Sequence, residues 1–401
     1  MVHTFTLNGC NIAVDGNSGS IHMLDDISYK MLSGMQELLP LDDIIQKFQN
    51  IYPKQDIIEA YNELELLKKQ ELLFTTPENI ENIFTAKTEA ISANGIKALC
   101  LHVSHDCNLS CEYCFASKGD YKSGRSLMSK DVALKAVDYL VANSGHRHNI
   151  EIDFFGGEPL MNFDVVKEVV AYGKELENKT GKKFHFTITT NGILLDKEKI
   201  NFINKYMDNV VISIDGRKEV HDSIRCDRGG RGSYDRIVPL AQKLVNQRNG
   251  KDYFIRGTFT SKNLDFSKDV MHLSELGFRE ISVEPVVGSG DKLFIQEQDV
   301  PVVLNEYEKL ALEYLKWLQE GKDIRFYHFN INLYGGPCIY KRITSCGAGF
   351  EYFAVSPEGH LYPCHQFVGQ KEFIMGDLNS GIENKEIKEC FKSNNILTKE
   401  K

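Results

Sequence analysis

The sequence predicts an α/β protein in which a partial (β/α)6 barrel lies between a small N-terminal domain and a cysteine-bearing C-terminal extension. From Gly95, short apolar runs alternate with amphipathic helical patterns, and such alternation is typical of a parallel sheet covered by helices. The length of 401 residues also exceeds what one core usually holds. We predict four segments: a domain at 1–75, a linker at 76–94, the barrel at 95–320 and the extension at 321–401.

The N-terminal segment reads as three strands followed by three helices. Alternating apolar residues predict strands at 3–7, 11–14 and 20–23, and helical periodicity predicts helices from 26 to 38, 41 to 50 and 54 to 69. Leu72–Phe74 would close the unit as an extended edge. This order resembles the PqqD-like peptide-recognition element, a winged-helix relative, which implies that a leader peptide adds a strand to the sheet edge. A DNA-binding winged helix is the alternative, disfavoured because no helix is strongly basic.

The barrel is predicted from six apolar runs, and residues 76–94 are polar enough to form a linker. Helical patterns such as Ser129–Val141 and Phe163–Glu177 lie between the runs. A parallel barrel carries its chemistry at the carboxyl ends of its strands. The predicted strands are Ile96–Val103, Ile150–Phe155, Phe184–Thr189, Asn209–Ile214, Tyr253–Thr260 and Glu280–Pro285.

Three cysteines follow the first predicted strand directly: Cys107, Cys111 and Cys114, with Tyr113 before the third. Three thiolates on a 4Fe-4S cluster leave one iron without a protein ligand, where a small chelating molecule can bind. A zinc knuckle or redox thiols are the alternatives, but structural zinc takes four ligands. The pattern resembles the radical S-adenosylmethionine (SAM) superfamily. That resemblance implies SAM bound to the open iron and reductively cleaved to a 5′-deoxyadenosyl radical.

Four further motifs fall at strand ends in the order of that superfamily. The resemblance implies that the Gly-Gly-Glu-Pro run after the second strand binds the SAM amino group, that Ser213 contacts the ribose and that Arg225 pairs with the methionine carboxylate. Taken singly, the glycines could form an ordinary turn and Arg225 could lie on the surface. The predicted cofactor-binding residues are Tyr113, Gly156, Gly157, Glu158, Pro159, Thr190, Asn191, Ser213, Asp215 and Arg225.

The later cysteines resemble the opening of a SPASM domain, which carries auxiliary iron-sulfur clusters. The resemblance implies at least one auxiliary 4Fe-4S cluster on Cys338, Cys346 and Cys364, two of them next to a hairpin around Gly359. The dense four-cysteine run that usually follows is absent. Either the chain is a fragment or the second cluster does not exist. We expect truncation, and a loosely ordered region after about Gly376.

Two histidines and three further cysteines read as supporting residues. His102 and His105 flank the cysteine motif and are interpreted as packing groups or as groups that support the cluster ligands, because the predicted cluster already has its ligands. Cys10, Cys100 and Cys226 are isolated in the sequence. Cys100 lies within an apolar strand, where a buried thiol behaves as a small hydrophobic group.

Composition narrows the function classes. A net charge of -9 and a pI near 5.8 disfavour nucleic acid or an anionic membrane as partner. No apolar stretch reaches the roughly 18 residues of a membrane span, and the polar start is no signal peptide. We therefore expect a cytoplasmic protein. Most of its 10 cysteines would then serve as metal ligands rather than disulfides.

The whole chain resembles radical SAM maturases of ribosomal peptides, most closely those of the six-cysteines-in-forty-five (SCIFF) peptides. This implies abstraction of a substrate Cα hydrogen and attack by a peptide Cys sulfur, giving a thioether. The implied partners are a Cys-rich precursor peptide, whose leader binds residues 1–75, and an electron donor such as flavodoxin or ferredoxin. No catalytic acid or base stands out. Two rivals remain: anaerobic sulfatase maturation to formylglycine, with Asp215 placed as a proton acceptor, and a non-catalytic peptide-binding scaffold.

Overall fold

The computed structural model describes four segments of the chain: residues 2–76, 95–288, 292–330 and 346–394. Contacts divide these segments into two units. The first holds residues 2–76, and the second holds the other three segments. Nearly all of the predicted linker, and Cys338 among the predicted ligands, lie outside the described residues.

The first unit has an antiparallel three-stranded sheet in the order β1-β2-β3 and three helices around one core. Asp25 caps the first helix, because its Oδ1 accepts a hydrogen bond from the Ser28 N–H at 2.8 Å. Met31, Ile44 and Ile57 come from successive helices and are fully buried in that core. The elements are β1 Val2–Leu7, β2 Cys10–Asp15, β3 Ile21–Leu24, α1 Asp26–Gln36, α2 Leu41–Phe48 and α3 Lys54–Lys69.

The predicted extended edge at Leu72–Phe74 is wrong. These residues form bends after α3, and Phe74 has a φ of 53°, outside the extended region. Leu73 is buried in the core of the first unit. The Leu72 carbonyl oxygen lies 3.0 Å from Nε2 of His22, a side-chain contact rather than a backbone ladder. The apolar run thus supplies a core side chain to the unit and no strand.

The second unit contains one large, mostly parallel sheet. All six predicted strands are present in the predicted order, and each pairs in parallel with the next along the path β4-β6-β7-β8-β9-β10. The expectation of an α/β fold is therefore confirmed. The strands are β4 Ala98–His105, β5 Ser126–Leu127, β6 Asn149–Gly156, β7 Lys183–Thr190, β8 Asn209–Ser213, β9 Asp252–Phe259, β10 Glu280–Pro285, β11 Arg325–Phe326, β12 Tyr352–Val355, β13 His360–Tyr362, β14 Gly376–Asp377 and β15 Gly381–Ile382.

Amphipathic helices accompany this sheet. Phe184, Phe186 and Ile188 alternate along β7 and are fully buried in a core shared with helix residues. Each such side chain contributes on the order of 1.5–3 kcal/mol through burial. The helices are α4 Lys130–Asn143, α5 Phe163–Thr180, α6 Lys197–Tyr206, α7 Lys218–Ile224, α8 Tyr234–Asn246, α9 Phe266–Glu275, α10 Val300–Gln319 and α11 Lys385–Ser393. Within the described segments, no helix is both long and apolar enough to cross a membrane.

The C-terminal hairpin is present as predicted but has an unpredicted neighbour. β12 and β13 pair antiparallel, and Gly359 in their turn has a φ of 92°. β12 also pairs in parallel with β4, so the hairpin extends the main sheet. The expectation of a loosely ordered region after Gly376 is wrong as far as Ser393. There β14 pairs with β13, and the Asn384 side chain caps α11.

Candidate functional site

A cavity of about 700 Å³ lies at the carboxyl ends of β4, β6, β7 and β8. We call it the cysteine cavity, because Cys107, Cys111 and Cys114 all line it. Motifs that are far apart in the sequence therefore converge on one space. The other predicted residues that line it are Tyr113, Gly156, Gly157, Thr190, Asn191, Ser213 and Arg225.

Cys107, Cys111 and Cys114 line one cavity, where three thiolates could bind a 4Fe-4S cluster and leave its fourth iron open. Burial raises the pKa of Cys107 to about 12 and that of Cys111 to about 11. Cluster assembly must therefore displace protons from these thiols.

Among the described residues, two donors form hydrogen bonds to the sulfur of Cys107, and its S–H lies 3.9 Å from Oδ1 of Asn108. Its Sγ accepts a hydrogen bond from the Leu109 N–H at 3.4 Å and another from Nδ2 of Asn191 at 3.7 Å. Nδ2 of Asn191 also donates to Oδ1 of Asn108 at 2.7 Å. Hydrogen bonds to cluster sulfurs tune the potential of such sites. Asn191, which follows β7 directly, is thus placed to orient Cys107 in the loop after β4.

The glycine turn after β6 fits tightly against the segment that leads to Cys107. A Cβ atom on Gly156 would lie 2.2 Å from the Ser104 carbonyl oxygen, and one on Gly157 would lie 2.3 Å from that of Asp106. The Gly157 N–H donates to Ser104 O at 2.7 Å. Any side chain here would displace the cysteine loop. The sequence suggested that these glycines admit a ligand, and the structure adds this second reason for them.

Glu158 and Pro159 do not line the cysteine cavity. Glu158 is fully buried, and its carboxylate accepts hydrogen bonds from the Thr190 hydroxyl at 2.7 Å and from the Asn191 N–H at 2.8 Å. A third donor is the Leu160 N–H at 3.0 Å. Burial raises the pKa of Glu158 to about 7. The Glu158 side chain links the turn after β6 to the end of β7. It therefore supports the wall of the cysteine cavity and does not itself line the cavity.

Asp215 also lies behind the wall of the cysteine cavity. It is fully buried, and Oδ1 accepts a hydrogen bond from Nε of Arg225 at 3.0 Å and from the Thr258 N–H at 3.0 Å. The Tyr113 hydroxyl donates to the same carboxylate at 2.9 Å. The Arg225 guanidinium lies 5.3 Å from the centre of the Tyr113 ring. Asp215 therefore orients two side chains that line the cavity.

His102 and His105 are buried in a cluster of rings, in agreement with the packing interpretation. The Tyr121 ring lies 4.5 Å from that of His105 and 4.8 Å from that of His102, centre to centre. Burial lowers the pKa of both histidines, that of His105 to about 4, so both rings are neutral at pH 7. The Tyr121 hydroxyl donates to the Gly156 carbonyl at 3.1 Å. This cluster thus supports the glycine turn.

A second cavity of about 980 Å³ adjoins the first. It adds residues from β9, β10 and the segment after β13, among them Arg256, Thr258, Glu284 and His365. None of these four was predicted from the sequence. The signal that could have found them is position, because Arg256 and Glu284 lie toward the carboxyl ends of the fifth and sixth predicted strands. Both cavities are lined by Tyr113, Phe115, Phe155, Thr189, Ser213 and Arg225.

The C-terminal cysteines are only partly described. Cys346 is exposed and Cys364 is half-buried just after β13. Burial raises the pKa of Cys364. Their role as ligands of an auxiliary cluster stays a prediction, because Cys338 lies outside the described residues.

The comparison with known families agrees with this geometry. Residues 101–255 match the family model of the radical SAM superfamily. The chain carries a radical SAM domain. Such domains use SAM and a 4Fe-4S cluster, and the residues of the cysteine cavity fit both groups. The matched range begins within β4 and ends within β9, so it spans all three cysteines, the glycine turn and Arg225.

Two relatives represent different activities. The radical SAM cyclopropyl synthase TigE of Paramaledivibacter caminithermalis is 22% identical over 376 residues, covering 86% of this chain and 74% of TigE. A cysteine-type anaerobic sulfatase-maturating enzyme of Clostridium novyi is 28% identical over 309 residues, covering 73% of this chain and 78% of that enzyme. The similarity to TigE thus extends over more of the chain.

A solved structure shares the fold. SuiB of Streptococcus suis, bound to its precursor peptide SuiA, superposes with a TM-score of 0.54 at 17% identity. The match covers 96% of this chain and 86% of SuiB. SuiB has also been solved with bound S-adenosylmethionine.

Proposed function

We propose that this protein is a radical SAM peptide maturase that forms thioether crosslinks in a Cys-rich precursor peptide. The observation that carries the proposal is the extent of similarity. TigE matches 86% of the chain and the peptide-bound SuiB structure matches 96%, whereas the sulfatase-maturating enzyme matches 73%. The thioether chemistry and the SCIFF-like substrate rest on the motif resemblance.

Different residues of the cysteine cavity would bind the 4Fe-4S cluster and the separate parts of SAM. Cys107, Cys111 and Cys114 would hold the cluster, and Arg225 would donate charge-assisted hydrogen bonds to the SAM carboxylate. Ser213 would contact the ribose, and Gly156 and Gly157 would present backbone groups to the SAM amino group. The bound cofactor supplies hydrogen abstraction from an unactivated carbon. The protein must therefore exclude water and hold one substrate Cα beside this cavity.

The peptide would engage two parts of the chain. In the first unit β3 lies at the end of the strand order, so one side of it pairs with no strand within the described residues. Met23 of this strand is 79% exposed, as expected of an edge that receives another strand. We assign the leader to this edge and the modified core segment to the second cavity. Cys338, Cys346 and Cys364 are proposed ligands of an auxiliary 4Fe-4S cluster.

Formylglycine formation in a sulfatase is the second candidate. The 28% identity with the Clostridium novyi enzyme favours it, since that value exceeds the identity with TigE. The two proposals differ in substrate. In thioether formation a Cα–H and a thiol S–H are broken and a C–S bond is made. The hydrogen atom would pass to the 5′-deoxyadenosyl radical, the thiol proton to solvent and the remaining electron to the proposed auxiliary cluster. Each crosslink therefore lowers the peptide mass by two hydrogen atoms.

Co-expression with neighbouring open reading frames tests the proposal. We expect a short Cys-rich peptide to lose two hydrogens per crosslink, with one thiol blocked to alkylation at each. The triple variant C107A/C111A/C114A is the control and should leave the peptide unchanged. Conversion of a sulfatase Cys or Ser to formylglycine, with the peptide unmodified, would transfer the assignment to the second candidate. SAM cleavage that changes neither substrate would contradict both.

A further inference from the structure

The second cavity contains two opposite charges that the proposed cofactor chemistry does not use. Arg256 of β9 and Glu284 of β10 both line it. In the register of these neighbouring parallel strands, Glu284 lies opposite Thr258, two residues beyond Arg256. Residues two apart on a strand share a face, so the two side chains come from the same face of the sheet. They do not form an ion pair with each other within 4.0 Å.

Glu284 is held in one orientation by a chain of hydrogen bonds. Nε2 of His328 donates to its Oε2 at 2.8 Å, and the Ser282 hydroxyl donates to its Oε1 at 2.6 Å. Behind it, the Tyr307 hydroxyl lies 2.8 Å from Nδ1 of His328. The His328 hydrogen bond holds the pKa of Glu284 below its ordinary value. A carboxylate offers about four lone-pair sites, so this one can still accept hydrogen bonds from the cavity.

Arg256 differs from Glu284 in having no hydrogen-bonded or ion-paired side-chain partner among the described residues. Its guanidinium makes no hydrogen bond or ion pair with any other described residue, although a guanidinium carries five N–H donors. The only other arginine of this cavity, among the described residues, is Arg225, which is engaged by Asp215. An arginine that lines a concave site and has no hydrogen-bonded partner among the described residues is available to a ligand.

We propose that Arg256 and Glu284 bind the backbone of the core peptide: Arg256 donates to a carbonyl oxygen and Glu284 accepts from an N–H beside the reacting residue. The inference rests on the proposed peptide substrate and adds how that substrate is positioned. A peptide group carries one donor and one acceptor, and both need partners when they are removed from water. A carboxylate ligand would be repelled by Glu284, and an ammonium ligand by Arg256. A neutral peptide segment can accept a hydrogen bond from Arg256 through a C=O and donate one to Glu284 through an N–H.

This arrangement accounts for how the second cavity can direct a Cα hydrogen toward the cysteine cavity. The two cavities share six lining residues, so a group bound between Arg256 and Glu284 borders the space assigned to SAM. Anchoring the amide on one side of the reacting residue fixes the direction of its Cα–H bond. Arg256 and Glu284 are therefore positioning residues, and loss of either should leave SAM binding intact.

The test uses the full reconstituted chain and a synthetic leaderless core peptide taken from the neighbouring precursor. Arg256→Gln and Glu284→Gln should each raise the KM for this peptide by about 10-fold to 100-fold. The dissociation constant of the peptide, measured by fluorescence anisotropy, should rise by a similar factor. The ratio of 5′-deoxyadenosine to crosslinked peptide should rise, while SAM affinity stays unchanged. The control is Arg279→Gln, since Arg279 is 68% exposed and pairs at 3.8 Å with Asp323.

A series of core peptides, each with one amide replaced by an ester, identifies the contact. One ester should weaken binding to the unmodified chain more than to the Glu284→Gln variant, because the neutral Gln oxygen accepts a weaker hydrogen bond than the carboxylate. Equal losses in both proteins at every position would overturn the assignment, as would an unchanged KM in Arg256→Gln. If the unmodified chain forms no crosslink yet binds the peptide through this pair, the thioether proposal fails and the binding pair stands.

Discussion

The arginine of the cysteine cavity and the arginine of the second cavity differ in burial and in their ion-pair partners. In the first, Arg225 is 10% exposed in its side chain and bonded to the fully buried Asp215. In the second, Arg256 is exposed and lacks a partner within the described residues. A buried guanidinium requires a counter-charge in the folded protein, because desolvating an isolated ion costs several kcal/mol. The first site is therefore built in advance for one fixed ligand, and the second leaves its charge for a ligand that arrives separately.

The same contrast extends to the backbone. The turn at Gly156 and Gly157 is hydrogen-bonded to Ser104, in the segment that leads to Cys107, and Glu158 links this turn to the end of β7. Around the second cavity, Val287 is 80% exposed just beyond β10. Preorganisation suits a cofactor that every turnover needs in the same pose. A peptide that must enter and leave is better served by an open wall.

The largest effect is expected from C107A/C111A/C114A. Each thiolate is a proposed ligand, and no other described cysteine lines the cysteine cavity, so the variant should lose one 4Fe-4S cluster and all SAM cleavage. Iron analysis and 5′-deoxyadenosine formation measure both losses. Cys10→Ala is the matched control, because Cys10 is exposed in the first unit and should change neither quantity. Cleavage that persists in the triple variant contradicts the assignment of the cavity.

Asp215→Asn should cause the next largest effect. It leaves the buried Arg225 charge uncompensated, so the free energy of unfolding should fall by about 3–5 kcal/mol, measured by urea titration of the metal-free chain. Asp265→Asn removes a more exposed carboxylate, 38% exposed, from Arg217 and should cost about 1 kcal/mol or less. Arg256→Gln should leave stability unchanged. A large loss of stability in Arg256→Gln would show that the second cavity is as prebuilt as the first.

Gly157→Ala should have an intermediate effect. The new Cβ would lie 2.3 Å from the Asp106 carbonyl oxygen, and relieving that overlap should cost about 1–3 kcal/mol. Because Asp106 precedes Cys107, iron retention during gel filtration should also fall. Gly229→Ala is the control, since its nearest neighbour is a side-chain oxygen of Asp227 at 3.2 Å. Equal iron retention in both variants would mean that the tight turn does not position the cysteine loop.

Local patterns predicted most of the fold and the residues of the cysteine cavity. The six strands and the turn motifs after them depend on periodicity and spacing, which are visible in the sequence. The pairing of β12 with β4 joins Tyr352 to Ala98, a contact across more than half of the chain, and no local pattern encodes it. Leu72–Phe74 was misread for the opposite reason: a short apolar run fits a strand or a buried turn equally well.

The roles of Asp215 and Glu158 show a second limit. Both lie in motifs that the sequence places at strand ends, yet their carboxylates lie behind the cavity wall and serve neighbours there. Spacing predicts which strand end a residue occupies but not which way its side chain points. Arg256 and Glu284 were missed because a single charged residue in a strand carries no spacing signal.

The smallest effect on either cavity should follow from deleting residues 2–76. Every described residue that lines the two cavities belongs to the second unit, and the deleted residues form a core of their own. SAM cleavage without peptide should therefore change by less than about twofold. The peptide concentration needed for crosslinking should rise, because leader capture by strand addition is separable from the chemistry.

A leaderless core peptide sharpens this test. It should crosslink equally well with the full chain and with the deleted chain, because its proposed contacts, Arg256 and Glu284, lie in the second unit. A precursor with its leader should favour the full chain, and measured leader binding should be lost from the deleted chain. If the leader binds both proteins equally, the first unit has another task. If SAM cleavage also collapses, the cysteine cavity depends on contacts beyond its own unit, and its description as a prebuilt site must be revised.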